Sequence, residues 1–546
     1  MEKTKMAVAL LVAVAAIVAI AAVVVTSSHG GDDAPVERKY MTDLTDSGKV
    51  YSVDGGDYKV MTSTYTNPLM PEARLQFYYS DGYFAKDPKE YDEHLASMTL
   101  VMASTGFGTN GGYSDLSSVV REFFDVIGCS DVHVNSMFDM KPGEDTIGVA
   151  MAQKKITVGG TEKTLVPVVM RSANYDLEWV SNFTVGTEGE SEGFASAATQ
   201  VMDELIGYMK DCGIDGNSEN VLFWISGYSR GAATSNLVAK RVVDMFDNKG
   251  DRTFCYTFEA PTPGLDSMMR KGCDYGCIHN VFDRRDIVTL VPPMEYGFKH
   301  YGIDHLVPGL QASTVYEYVD TVEYAGETTT VTTEVDNFDS WATPVYPLWD
   351  EYEKRLWDTF HMKDHAKFQK SILKRDTTTE KLEDDVDIRE FLWDMIHDLL
   401  EWTGTDRQAY ASGDPNLQGC MQKIMHYFND GGKMPSRTPF DLALILMLGS
   451  DPGLTGDEMA RVVDTISKGV DKTTLQGWGL SEEEAEFLAK FVVTFAYNDY
   501  SKTFAETGIR GYIYIGTLAG GLESIYEYHM PFYLFSWLMT YDDYYA

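Results

Sequence analysis

Ser229 stands between two glycines in the segment Ile225-Ser-Gly-Tyr-Ser-Arg-Gly-Ala-Ala233. A serine hydroxyl is a weak nucleophile until something activates it. The spacing of Gly227, Ser229 and Gly231 suits a tight strand-to-helix turn that presents one hydroxyl at its apex. Side chains two residues to either side must be nearly absent for such a turn to close. Ala232 and Ala233 then allow the following helix to approach its strand. The start of that helix offers backbone N–H groups and a positive dipole end where an oxyanion develops. The chemistry these residues suit is acyl transfer on a serine, with a base beside it and an acid behind the base.

In folds built on this turn the order along the chain is serine, acid, histidine. The acid is sought in Val281-Phe-Asp-Arg-Arg-Asp-Ile-Val-Thr-Leu-Val-Pro-Pro293, where a strand-like run ends before an apolar, proline-rich turn. Asp286, at the junction with Ile287-Val288, is the expected acid, and Asp283 is the alternative. The base is left among His300, His305, His361, His365, His397, His426 and His529. His361 and His365 are spaced i, i+4, but no Glu-x-x-His context accompanies them, so no metal site is expected. His529 precedes Met530-Pro531 and therefore falls in a non-helical turn.

Elements that position these residues follow from periodicity. Residues 88–103 and 115–128 read as helices, separated by Gly/Asn-rich Gly106–Tyr113. From about 131, strands alternate with helices. Asp145–Gln153 and Lys163–Met170 are strand-like with a Gly-Gly pair between them, and Pro167 suggests a strand start or a bulge. Phe194–Met209 is an amphipathic helix, Val221–Ile225 a short buried strand, and Thr253–Phe258 and Ile278–Phe282 further strands. This alternation implies a mostly parallel sheet covered on both faces. Ser313–Asp336 reads as a hairpin around Ala325-Gly326, and Leu348–Tyr500 as mostly helical. The fold class expected is α/β, an α/β-hydrolase with an N-terminal helical preamble and a large, mainly helical insertion or cap. Its expected parts are a membrane anchor or signal segment (1–30), a linker and N-terminal helical region (31–130), the core (131–305), the cap (306–500) and a C-terminal return to the core (501–546).

The chain has 546 residues, too many for one hydrophobic core, and a formal net charge of −38. That charge repels phosphate backbones and argues against nucleic acid as a partner. Lys3 and Lys5 precede Met6–Val25, a run of twenty residues without a charge. This length suits an uncleaved anchor better than a cleaved signal, and the flanking charges place the body outside the cell. The expected location is the cell membrane, or secretion if the segment is cleaved. Six cysteines permit disulfides in such a chain; Cys273 and Cys277 suit a small closed loop or free thiols, and Cys255 a buried thiol. No metal-type CxxC pair occurs, and the chemistry calls for no cofactor. Oligomeric state is left open.

Residues 166–294 resemble a class 3 (fungal-type) lipase domain, and more closely the related prokaryotic lipase-like surface proteins. Four ordered blocks carry the resemblance. They are Pro167-Val-Val-Met-Arg-Ser-Ala173 with Glu178-Trp-Val-Ser-Asn182, Gly193-Phe194, the turn at Ser229, and Tyr256-Thr-Phe-Glu-Ala-Pro-Thr-Pro-Gly264 followed by Asp286-Ile-Val through Pro292-Pro293. The resemblance implies Ser229 as nucleophile, Asp286 as acid, and the backbone amides of Ala173 and Arg230 as the oxyanion hole. Tyr528-His-Met-Pro-Phe-Tyr-Leu-Phe-Ser-Trp537 resembles the closing block of the prokaryotic relatives, which implies His529 as base. Ser172-Ala173 departs from the family's Gly and hydroxyl residue and leaves only a backbone donor, and Glu259 replaces a usual Gly. The implied activity is hydrolysis of carboxylic, acyl or lipid esters through a Ser-His-Asp triad. The alternative is a non-catalytic cell-surface binding protein that keeps the hydrolase fold.

Overall fold

Strands alternating with helices from residue 130 onward build one central sheet. The computed structural model describes residues 56–63, 73–107, 116–139, 146–172, 176–246, 249–283, 286–307, 315–324, 327–336, 388–429, 472–498, 529 and 534. In chain order, β1 (Asp57–Ser63) and β2 (Ala73–Tyr79) precede α1 (Glu93–Ser104) and α2 (Leu116–Val126). Then come β3 (Ser130–Val134), β4 (Val149–Val158), β5 (Thr161–Met170), α3 (Asp176–Asn182) and α4 (Glu192–Asp211). The centre of the chain holds β6 (Val221–Tyr228), α5 (Arg230–Met245), β7 (Thr253–Phe258), β8 (Gly264–Leu265), β9 (Ile278–Asp283), β10 (Phe298–Lys299) and β11 (Ile303–Val307). A hairpin of β12 (Val315–Tyr324) and β13 (Glu327–Asp336) follows. After it lie α6 (Ile388–Thr403), α7 (Arg407–Ala411), α8 (Leu417–Asn429), α9 (Lys472–Gly477) and α10 (Glu482–Asn498).

The sheet has seven strands in the order β11-β9-β7-β6-β5-β4-β3. The run from β5 to β11 is parallel, and β3, β4 and β5 pair antiparallel. The Gly-Gly pair joins β4 to β5 as a two-residue hairpin: Gly159 and Gly160 have φ of +57° and +78°, which suits a turn that needs both residues left-handed. Pro167 does not start the strand or form a bulge. It sits within β5 opposite Trp224, in unbroken parallel register. The β4–β5 ladder has no registered pair at Val166 and Pro167, which accommodates a residue without an N–H.

Successive side chains of β6 show how both faces are covered. Leu222, Trp224 and Tyr228 pack with α1, α2 and the β1–β2 ribbon, whereas Val221, Phe223 and Ile225 pack with α4 and α5. Residues one apart on a strand point to opposite faces, so a strand apolar throughout requires a layer on each side. Trp224 is wholly buried, and its indole N–H donates to Thr99 Oγ1 of α1 at 2.9 Å. The N-terminal region is therefore not only helical: β1 and β2 form an antiparallel ribbon whose Met61 and Phe77 join the core beside α2. Alternation of apolar Ala73, Leu75 and Phe77 with polar Arg74 and Gln76 carried that signal, and the helical reading of the region passed over it.

Among the described residues no helix is long and apolar enough to cross a membrane. The apolar run 6–25 lies outside the described residues. The six cysteines are free thiols, with Cys255 and Cys277 buried.

Candidate functional site

β6 ends in Tyr228 and α5 begins at Arg230, so Ser229 is the whole turn. Its backbone has φ +54° and ψ −121°, a region that L-residues avoid at a cost of about 1–3 kcal/mol. The two glycines make the turn sterically possible. A Cβ on Gly227 would meet the Gly231 carbonyl at 2.4 Å, and one on Gly231 would meet Met170 O at 2.5 Å. Arg230 opens α5, where first-turn N–H groups have no carbonyl of their own helix to reach. Ala173, the other expected oxyanion donor, lies outside the described residues.

Asp286 follows β9 and caps a short 3-10 turn over Ile287–Leu290, with Oδ1 accepting from Val288 N–H at 2.9 Å. Its Oδ2 accepts from His529 Nδ1 at 2.6 Å. On the other side of the ring, His529 Nε2 lies 2.8 Å from Ser229 Oγ. Ser229 is 4% exposed, Asp286 0% and His529 5%, so the three-group chain is shielded from bulk water. Tyr228 adds a contact that the sequence reading missed: its hydroxyl donates to the backbone carbonyl of His529 at 3.1 Å, and the two rings meet edge to face. It fixes a residue 301 positions away to the end of β6.

The other histidines have different places. His300 bonds to Ala260 O and Asp304. His305 stacks on Tyr91 and bonds to His279. His397 faces Glu295, His426 lies in α8, and His361 and His365 lie outside the described residues. Asp283 ends β9, and its N–H donates to Glu259 Oε1.

Arg171, Glu178 and Asn182 act as structural support for the turn. Arg171 and Glu178 form a fully buried ion pair at 2.7 Å, with Arg171 also donating to Met137 O at 2.7 Å. Asn182 Oδ1 accepts from Arg230 Nη1 at 2.7 Å, tying α3 to the first residue of α5.

Ser229 lines an apolar pocket that is open to solvent. One wall comes from the core: Phe183, Val185, Phe194, Pro261, Val288, Val291 and the Pro292-Pro293 turn. The other comes from the helices after β13, through Ile396, Leu399 and Leu400 of α6, Tyr410 of α7, Leu417 and Met421 of α8 and Phe491 of α10. Polar side chains hold these helices to the core. Arg407 donates to the carbonyls of Gly186 and Gly189, and Gln418 Oε1 accepts from the N–H groups of Val185 and Gly186. The wall residues carry no motif, since only the tertiary arrangement brings them over Ser229.

Residues 163–296 match the family described as Lipase (class 3). No curated protein sequence matches the chain. Several solved lipase structures are similar at low identity. A triacylglycerol lipase whose catalytic centre is a serine protease triad is 20% identical over 40% of this chain and 80% of its own, with a TM-score of 0.28. The Rhizomucor miehei triacylglyceride lipase is 18% identical over 39% and 78%, with a TM-score of 0.26. Lipase II from Rhizopus niveus is 12% identical over 40% and 81%, with a TM-score of 0.28.

Proposed function

We propose that this chain, whose residues 163–296 match the class 3 lipase family, is a lipase-like α/β-hydrolase that cleaves acyl or lipid esters through an acyl-enzyme on Ser229. The observation that carries this reading is the hydrogen-bonded sequence Asp286 Oδ2–His529 Nδ1 and His529 Nε2–Ser229 Oγ, opening into an apolar pocket. In the proposed reaction, Ser229 Oγ attacks the ester carbonyl while His529 Nε2 takes its proton. The carbonyl oxygen becomes an oxyanion at the start of α5, facing the Arg230 amide and, by family resemblance, that of Ala173. Collapse of the tetrahedral intermediate expels the alcohol, which receives the proton from His529. Water, deprotonated by the same imidazole, then releases the carboxylic acid and restores Ser229.

The pocket supports an apolar acyl group as the recognised part of the substrate. It contains few polar side chains, so discrimination rests on apolar area at about 25 cal/mol per Å² buried. The charge-free run Met6–Val25 supports a location at the cell membrane with the hydrolase outside. The alternative of a binding protein that merely retains the fold has the 2.8 Å contact of His529 with Ser229 against it.

Hydrolysis of p-nitrophenyl esters of increasing acyl length tests the proposal. Wild-type protein is expected to turn over medium-chain esters, and Ser229→Ala to lose that activity while keeping its melting temperature. Equal turnover by the two proteins would refute it.

A further inference from the structure

A fourth buried group lies behind Asp286. Glu259 follows β7, is 0% exposed, and holds φ at +49°, a left-handed conformation that a glutamate adopts only under constraint. Its Oε1 accepts from Asp283 N–H at 2.9 Å. Its Oε2 is buried and has no hydrogen-bond partner among the described residues. Ligating atoms of Glu259, Asp286 and His529 lie within 4.8 Å of one another. Two carboxylates this close in a dry site cannot both ionise cheaply, and a buried orphan oxygen is itself costly. One proton removes both costs, because a protonated Glu259 gains an O–H to give and Asp286 has lone pairs to receive it.

We propose that Glu259 is a positioning residue that donates its carboxylic O–H to the Asp286 carboxylate, extending the hydrogen-bonded chain to Glu259–Asp286–His529–Ser229. The inference rests on the triad reading above and adds a regulator of the base to it. A donor on Asp286 draws charge from that carboxylate and weakens its hold on the imidazolium of His529. The base therefore stays neutral, and active, at lower pH than it would with Asp286 unassisted. The titratable groups facing Glu259 are Asp283 and Asp286, on and after β9, and His529; His300 reaches the neighbouring carbonyl of Ala260. Burial, followed by the charge of Asp286, pushes the Glu259 carboxyl well above the usual carboxylate range, consistent with a neutral side chain at working pH.

The test is the pH profile of kcat/KM on a soluble p-nitrophenyl ester for wild type, Glu259→Gln and Glu259→Gly, with Ser229→Ala as the control. Glycine suits the positive φ and deletes the donor; the glutamine amide keeps a donor of the same reach. In Glu259→Gly the midpoint of the acid limb is expected to rise by about one pH unit. In Glu259→Gln it is expected to stay at the wild-type value, so the amide rescues the shift. An unmoved midpoint in Glu259→Gly would mean that the side chain only fills space, and overturns the proposal. A lower midpoint in Glu259→Gln would mean that wild-type Glu259 is ionised, and overturns it equally. Turnover surviving in Ser229→Ala would bring down the triad reading itself, whereas Ser229-dependent turnover with an unmoved limb brings down only the role of Glu259. If either variant fails to fold, infrared spectra of wild-type protein decide the matter. A neutral-acid C=O band persisting well above the usual carboxylate range supports the proposal, and its absence overturns it.

Discussion

At the residue scale, the protonation pattern of His529 follows from what its neighbours can accept. Asp286 Oδ2 takes a hydrogen from Nδ1, while Oδ1 is already committed to the Val288 amide. Nε2 is thereby left with its lone pair toward Ser229 Oγ at 2.8 Å. Asp286→Asn reverses this arrangement with almost no change of shape. Its Oδ1 keeps the Val288 amide, its Nδ2 donates to Nδ1, and the ring proton moves to Nε2, where it can no longer receive one from serine. The expected loss is about 10⁴-fold in kcat with the melting temperature little changed; steady-state kinetics beside a thermal melt would check it. Ser229 itself was legible from five residues, because steric demands two positions either side of the serine are written locally as Gly227 and Gly231. Asp286 was legible as an acid between a strand and a proline-rich turn. His529 was not legible from spacing, since it lies 243 positions from Asp286; the Met530-Pro531 turn after it and the resemblance of its closing block singled it out. Glu259 showed in the sequence only as a departure from a usual glycine.

Elements decide what reaches the serine and how firmly the core is clasped. The helices α6, α7, α8 and α10 supply one wall of the pocket, and Leu400 is a partly exposed member of it. Leu400→Trp should shorten the space for an acyl chain. Each displaced methylene forfeits about 0.8 kcal/mol, so two displaced methylenes lower kcat/KM for a long-chain ester roughly tenfold, while the acetate ester is nearly unaffected. A chain-length series on the variant checks this, and an equal fall for both esters would argue against the pocket. Helical periodicity revealed that such helices exist after residue 348, but not which of their faces meets the core. On the far edge of the sheet, His279 Nε2 donates to Pro88 O at 2.9 Å, and its Nδ1 accepts from His305 Nε2 at 3.0 Å. His305 in turn stacks on Tyr91 at 4.0 Å, so the pair fastens the segment before α1. Burial, and then the neighbouring His279, lower the His305 pKa to about 4, and burial lowers that of His279. Both rings are neutral when folded, whereas the unfolded chain protonates them near 6.5. Their contribution is therefore present above about pH 6.5 and is lost as pH falls toward 4, on the order of 2 kcal/mol. Melting temperatures from pH 7 to 4.5 should fall less steeply in His305→Gln than in wild type.

For the whole molecule, the sheet brings together residues that the chain keeps far apart. Val221–Tyr228 is buried on both faces because the N-terminal ribbon and helices cover one side and α4 and α5 the other. The parallel sheet with its two layers was legible, since apolar strands alternating with amphipathic helices have few other ways to bury themselves. The β1–β2 ribbon was not, because a short half-polar strand gains its place only from its pairing with another strand, Asp57 opposite Tyr79 through Ser63 opposite Ala73. The closing contact is Tyr228 with the His529 backbone, which holds His529 at the end of β6. The role proposed for Ser229 follows from His529 being held there. The most direct test is reaction with a fluorophosphonate, followed by peptide mass spectrometry, in wild type and His529→Ala. The account predicts a single adduct on Ser229 that forms in wild type and is nearly abolished in His529→Ala; an adduct on another serine, or equal labelling of the two proteins, would contradict it.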